Sequence, residues 1–192
     1  MPGRASAAKT VAEERRLDQR TQPKSLNAET CCHQEGDGEG REARAHAGEA
    51  GLAIDYRVGS GEAIPLADGS IDCVVCVDVL EHVADIDRVL DEIVRVLKPN
   101  GLFLFDTINR TMLAAFVIVQ LGESVLRLLP RGTHDPAKFI TPAELSGKLV
   151  ALGLSVGPFV GLGPCGLNRR LDITFGQFPS VQIMYAGHAR KG

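Results

Sequence analysis

Ile71-Asp72-Cys73-Val74-Val75-Cys76-Val77 is a near-continuous run of β-branched residues and cysteine, the composition of a strand buried on both faces. Asp78-Val79-Leu80-Glu81-His82 follows directly, and then Val83, Ile86, Val89, Leu90, Ile93, Val94 and Leu97 recur at three- and four-residue spacing. That spacing predicts a helix over 85–97. Lys98-Pro99-Asn100-Gly101 supplies a cation, a breaker and turn formers to stop it, and Leu102 to Ile108 reads as the next strand. Strand, helix and strand in this order make a parallel crossover unit, so the fold class is α/β, an open sheet flanked by helices.

The pattern extends in both directions. Upstream, Ala53 to Val58 reads as a strand closed by Gly59, Ser60 and Gly61, and Ala43, Ala45, Ala47 and Ala50 before Gly51 look like a helix end. Downstream, Thr141 and Pro142 start a helix, Thr capping and Pro at the first position, with Leu145, Leu149 and Leu152 on its buried face. Leu154 to Leu162 and Val181 to Gly187 read as weaker strands. Residues 1–50 contain no Ile, Phe, Tyr or Trp and mix eight basic with nine acidic residues. Such a segment buries too little apolar area to offset the entropy of ordering it. Disorder is therefore expected over 1–42, and a single folded domain over 43–192.

A hydrophobic fraction of 44% with 23% charged residues describes a soluble globular chain. The net charge of -3 leaves no excess of cations for a polyanion, which argues against a nucleic-acid partner. Five cysteines, with no apolar leader after Met1, point to a reducing, cytoplasmic compartment. Cys73 and Cys76 have C-x-x-C spacing, but residues three apart on a strand face opposite ways, so they share neither a metal nor a disulfide. The apolar stretch Leu113 to Leu129 carries only Glu123 and Arg127 as charges. It is too interrupted to span about 30 Å of hydrocarbon, and reads either as an inward-facing lid or as a segment resting on a bilayer.

Asp78, Glu81 and His82 stand at i, i+3 and i+4 across the end of a strand and the start of a helix, where open α/β sheets bind ligands. Two carboxylates and an imidazole suit Mg2+ or a similar divalent ion. The alternative is that the acids simply favour a helix N-terminus and His82 packs locally. His134, in Gly132-Thr133-His134-Asp135, has the side-chain type of a general base, or is a surface loop residue.

Val77-Asp78-Val79-Leu80-Glu81-His82-Val83 together with Arg95-Val96-Leu97-Lys98-Pro99-Asn100-Gly101 resembles the middle of the class I S-adenosylmethionine-dependent methyltransferases. Phe105-Asp106-Thr107-Ile108-Asn109-Arg110-Thr111, Gly132-Thr133-His134-Asp135 and Lys138-Phe139-Ile140-Thr141-Pro142-Ala143-Glu144-Leu145 narrow the resemblance to the ubiquinone-biosynthesis O-methyltransferases, over roughly Ala43 to Lys191. The resemblance implies a Rossmann-like sheet, S-adenosylmethionine as cofactor, and methylation of a phenolic hydroxyl on a polyprenylated catechol or hydroquinone. It further implies Asp78, Glu81 and His82 as Mg2+ ligands, His134 assisting at the phenol, and the adenine against Ser60, Gly61 and Val77. It also implies a peripheral inner-membrane contact through 113–129 and membership of a quinone-biosynthesis protein complex. Arg169-Arg170 with Arg110 and Lys138 would meet an anionic lipid surface, or are simply solvated.

One departure from the family pattern stands out. Family members open their sheet with an apolar strand running into a glycine-rich cofactor turn. Gly36-Asp37-Gly38-Glu39-Gly40 mimics that turn, but Ala28 to Glu35 supplies no strand-forming apolar run before it. The domain is therefore expected to lack the first two strands, as if truncated or replaced at its N-terminus, which would leave the 71–77 strand with an open edge. Two rival readings accompany this one: a catalytically dead methyltransferase-like module that binds lipid or a partner, and a methyltransferase of some other small molecule.

Overall fold

The computed structural model describes residues 29–32, 44–119, 133–167 and 173–192. Two compact units divide the chain, residues 1–57 and 58–192. In the first, β1 (Glu29–Cys32) pairs with β2 (Asp55–Val58) in a two-stranded sheet. Residues 44–49 are helical, and Gly51 follows at a positive φ of 68° that suits glycine. The guanidinium of Arg44 donates to the Tyr56 carbonyl at 2.9 Å and lies 5.6 Å from its ring centroid. β1 falls inside 1–42, where composition predicts no order; Thr30, Cys31 and Cys32 suit an extended chain once a partner strand is present. The glycine-rich segment 36–40 lies outside the described residues.

The second unit holds a six-stranded sheet built from β3 (Ile71–Cys76), β4 (Leu97–Ile108), β5 (Leu154–Val156), β6 (Val160–Leu167), β7 (Ile173–Phe178) and β8 (Met184–Lys191). Their order is β3-β4-β8-β6-β7, with β5 beside β8. β3 and β4 are parallel, joined by α1 (Ile86–Val96), and every other pairing is antiparallel. α1 begins where the Asp85 carboxylate accepts the Arg88 N–H at 3.1 Å, and it buries Val89, Leu90, Ile93 and Val96. α2 (Met112–Ala115) is a single turn after β4. α3 (Pro142–Ala151) starts with a full capping box, in which Thr141 and Glu144 each bond the other's backbone N–H, and it buries Leu145 and Leu149.

The core joins these helices to one face of the sheet through Leu80, Leu90, Ile93, Phe103, Phe105 and Tyr185. Phe103, Phe105, Phe159 and Tyr185 form a ladder of ring contacts at 4.9, 5.9 and 5.3 Å. Among the described residues β3 stands at one end of this sheet, opposite β7. Its burial differs from the two-faced burial its composition predicts. Val74 and Cys76 pack toward the core, while Val75 and the following Val77 are 62% and 52% exposed.

Other boundaries move for local reasons. β4 begins at Leu97, five residues before the predicted start, because Asn100 in the left-handed region (φ 63°) and Gly101 let the chain bulge without leaving the sheet. A Cβ on Gly101 would lie 2.8 Å from the Lys98 carbonyl. The 154–162 segment breaks into β5 and β6, β8 runs from Met184 instead of Val181, and β7 has no counterpart in the sequence reading.

Candidate active site

Parallel strands β3 and β4 end side by side, and their carboxyl ends carry the site. Asp78 turns the chain just past β3 with a φ of 52°, and its N–H donates to the Asp106 carboxylate near the end of β4 at 2.8 Å. A positive φ at a non-glycine residue is uncommon and tolerated best by Asn and Asp. The loop then tightens, the His82 N–H bonding the Val79 carbonyl at 2.9 Å. This puts Glu81 inside, 1% exposed, where its carboxylate accepts the Thr107 hydroxyl at 3.0 Å.

Electrostatics follow from that burial. Burial pushes the Glu81 carboxyl up, partly countered by its own backbone N–H and by Thr107, with the charges of Asp78 and Asp106 adding to the rise. Burial likewise raises Asp106, partly countered by the hydrogen bond from the Asp78 N–H, with the Asp78 charge adding to the rise. The Cys76 thiol rises to about 12 through burial first, then Glu81 and Asp106. Asp78, Glu81 and Asp106 thus set a negative field at the mouth of β3 and β4, an environment that favours a cation.

His82 faces His134 across the loop, the ring centroids 5.1 Å apart and tilted by 40°. Burial lowers the His82 pKa first, then the nearby His134 and Lys138, with Asp78 opposing. The Lys138 ammonium donates to the His82 carbonyl at 3.2 Å, and Asp135 caps the 3-10 turn Pro136–Lys138 by accepting the Ala137 N–H at 3.0 Å. These contacts hold the His134 loop against the His82 loop.

The structure therefore joins His82 to His134, and Asp78 to Glu81 and Asp106 in one charge cluster. It does not assemble Asp78, Glu81 and His82 around a common point: among the described residues no three His, Cys, Asp or Glu side chains are placed to hold a metal ion. Glu81 is turned inward to Thr107 while His82 is exposed toward His134. This donor set, as arranged, does not fit Mg2+.

Ser60 and Gly61 sit apart from the acids in their hydrogen bonding. The Ser60 hydroxyl accepts the Glu62 N–H at 3.2 Å, and Glu62 in turn accepts the Asp85 N–H at 3.1 Å, which ties the turn to the start of α1. A Cβ on Gly61 would meet Val89 at 3.4 Å. Val77 is half-exposed beside Asp78. Asp106 and Thr107 are site residues that sequence reasoning assigned no role; the signal was an acid and a hydroxyl placed late in an otherwise apolar strand. Cys73 and Cys76 are free thiols, half-buried and buried.

Comparison with known proteins places this arrangement. The family described as Methyltransferase domain matches residues 32–105, reaching N-terminal of the boundary near 43. The ubiquinone biosynthesis O-methyltransferase of Sinorhizobium medicae is 41% identical over 139 residues, which span 69% of this chain and 56% of that protein. The protein of that name from Methylobacterium nodulans is 45% identical over 116 residues, 60% of this chain and 47% of that one. The chain thus spans about half the length of the curated relatives it matches. Among solved structures, a SAM-dependent methyltransferase from Thermotoga maritima superposes with a TM-score of 0.53 at 19% identity, over 92% of this chain and 87% of its own. Another from Methanosarcina mazei gives 0.55 at 17% identity, over 81% and 78%. The fold, the parallel β3-α1-β4 unit and the curated relatives agree, and the chain belongs to the class I S-adenosylmethionine-dependent methyltransferase family.

Proposed function

We propose that this chain works as an O-methyltransferase of ubiquinone biosynthesis, acting on a phenolic hydroxyl of a polyprenylated catechol or hydroquinone. The observation that carries the reading is the His82–His134 pair set beside the acidic mouth of β3 and β4. The relatives' names support the choice of reaction.

The donor set fits S-adenosylmethionine: Asp78 and Asp106 offer negative charge to a sulfonium, and Ser60, Gly61 and the half-exposed Val77 are the residues that would take the adenine. When bound, the cofactor supplies a methyl group activated by that sulfonium. A phenol has a pKa near 10, so its oxygen needs a base. His134, half-buried against His82, accepts the phenolic proton on a ring nitrogen. His82 is biased toward its neutral form by burial and by His134, so the proton taken by His134 meets no second imidazolium.

A peripheral contact with the inner membrane on its cytoplasmic side belongs to the same proposal. Met112, Leu113 and Phe116 are 92%, 44% and 59% exposed, an apolar patch at the start of the 113–129 segment. Residues 120–129 and Arg169-Arg170 lie outside the described residues, and no described helix is long and apolar enough to cross a membrane. Docking into a quinone-biosynthesis complex would keep so apolar a substrate off water.

Transfer of radiolabelled methyl from S-adenosylmethionine to a polyprenylated catechol by the full chain tests the reading. Label should appear in the catechol ether, and His134→Gln should lower the rate by about 10²- to 10⁴-fold without altering S-adenosylhomocysteine affinity. Wild-type protein that binds S-adenosylhomocysteine yet transfers no label to the catechol would remove the substrate assignment.

A further inference from the structure

A cleft of about 370 Å³ opens between the turn that leads into α1, the 3-10 turn Pro136–Lys138 and α3. Leu80, Val83, Ile86, Phe139 and Ile140 give it an apolar lining, while Arg110, Lys138, Lys148 and Glu144 line it with charge. Its size lies at the lower end of small-molecule sites, which combine an apolar wall with a few polar groups that orient the ligand.

The charge balance narrows the ligand. Arg110 is paired with Glu144, and Lys148 with Asp87. Lys138 differs: its ammonium donates to the His82 carbonyl, and among the described residues it has no carboxylate partner. Two of the three cations are thus neutralised in place, and one positive charge remains over an apolar floor. A monoanion with an apolar body complements this, whereas a phosphate dianion would be left with uncompensated charge. A neutral phenol would leave Lys138 unanswered.

We propose that this cleft is a binding site for a small apolar carboxylate, its ring or chain against Leu80, Val83, Phe139 and Ile140 and its carboxylate on Lys138. Arg110, released from Glu144 or shared with it, lies on the same wall to orient the head group. Neither the cofactor nor methyl transfer is needed for this binding, so it stands or falls apart from the proposed reaction.

Isothermal titration of the full chain with 4-octylbenzoate and with 4-octylphenol tests it, since the two share a body and differ in charge at pH 7. One-site binding of the benzoate is expected, about tenfold tighter than the phenol, as suits one charge-assisted contact. Lys138→Met should abolish the preference, Lys138→Arg should keep it, and raising the salt concentration should reduce it in the wild type. Equal affinity for the two probes, no benzoate binding, or a preference indifferent to both salt and Lys138→Met would overturn the proposal. Lys138-dependent sedimentation with phosphatidylglycerol vesicles, without benzoate binding, would also overturn it in favour of a bilayer surface.

Discussion

The Thr107 hydroxyl donates to the Glu81 carboxylate at 3.0 Å inside the protein, tying the loop before α1 to β4. Glu81 is 1% exposed and its acid strength is reduced, chiefly by burial. A carboxyl whose folded pKa is raised contributes its full stability below its unfolded value and loses it as pH rises through the folded value. At neutral pH, then, this acid is held at a cost. Glu81→Gln keeps an oxygen for Thr107 and removes the charge, so it should raise the Tm at pH 8 by about 3 °C and lose that advantage as pH falls toward 4. Thermal melts of both proteins at pH 4, 6 and 8 check the sign; a variant less stable than wild type at pH 8 and equal to it at pH 4 would refute it.

Glu92 behaves in the opposite sense. Hydrogen bonds from Arg95 come first among the causes that hold its carboxyl down to about 2, outweighing its burial, with the Ile64 N–H helping. Arg95 also reaches the Ile64 and Leu66 carbonyls and the Asp68 carboxylate, so one guanidinium fastens residues 64–68 to α1. A depressed carboxyl pKa gives stability above the unfolded value near 4.5 that disappears as pH falls toward 2. Glu92→Gln should flatten the stability profile across that window. Arg95→Met should lower the Tm by several degrees at pH 7, because it strands a buried acid and two carbonyls. Melts from pH 2 to 7 measure both.

Tyr185 is fully buried, with its hydroxyl donating to the Ile140 carbonyl at 2.9 Å and its ring against Phe159. The bond pins the segment leading into α3 to β8. Tyr185→Phe should cost about 1–2 kcal/mol, the worth of a buried hydrogen bond whose acceptor is left alone. Urea denaturation should show the midpoint moving with an unchanged slope; an unshifted midpoint would mean that the hydroxyl contributes nothing.

Both longer helices were legible because each encodes itself locally. α1 carries a three- and four-residue apolar repeat after an Asp cap, and α3 carries Thr141-Pro142 with Glu144 completing the box. β6 and β7 were hard to read for the converse reason. Gly161, Gly163 and Gly176 replace the alternating side chains that mark a strand, and a Cβ at Gly161 would sit 2.2 Å from the Ser180 carbonyl. At the site, candidate residue types were visible but their partners were not. Pairing His82 with His134 needs the loop before α1 and the loop before α3 to meet, and pairing Glu81 with Thr107 needs the inward turn that Asp78 begins. The spacing of Asp78, Glu81 and His82 suggested one shared ligand; the backbone turn sends Glu81 inward and His82 outward.

Met112 and Phe116 are 92% and 59% exposed, while Ala114 between them is buried against Ile108 and Phe139. The N-terminal turn is fixed by the Thr111 side chain, which accepts the Ala114 N–H at 3.0 Å and donates to the Gln182 carbonyl at 2.7 Å. The patch is thus held by the body of the domain and presents its apolar side chains outward. Burying each of these side chains in a bilayer interface is worth about 1.5–3 kcal/mol at full burial, and less when partial. Met112→Ser with Phe116→Ser should therefore reduce partition onto vesicles of mixed phosphatidylethanolamine and phosphatidylglycerol by at least about tenfold, leaving the melting profile unchanged. Sedimentation with those vesicles measures it, and equal partition of the double variant and the wild type would place the membrane contact elsewhere on the chain.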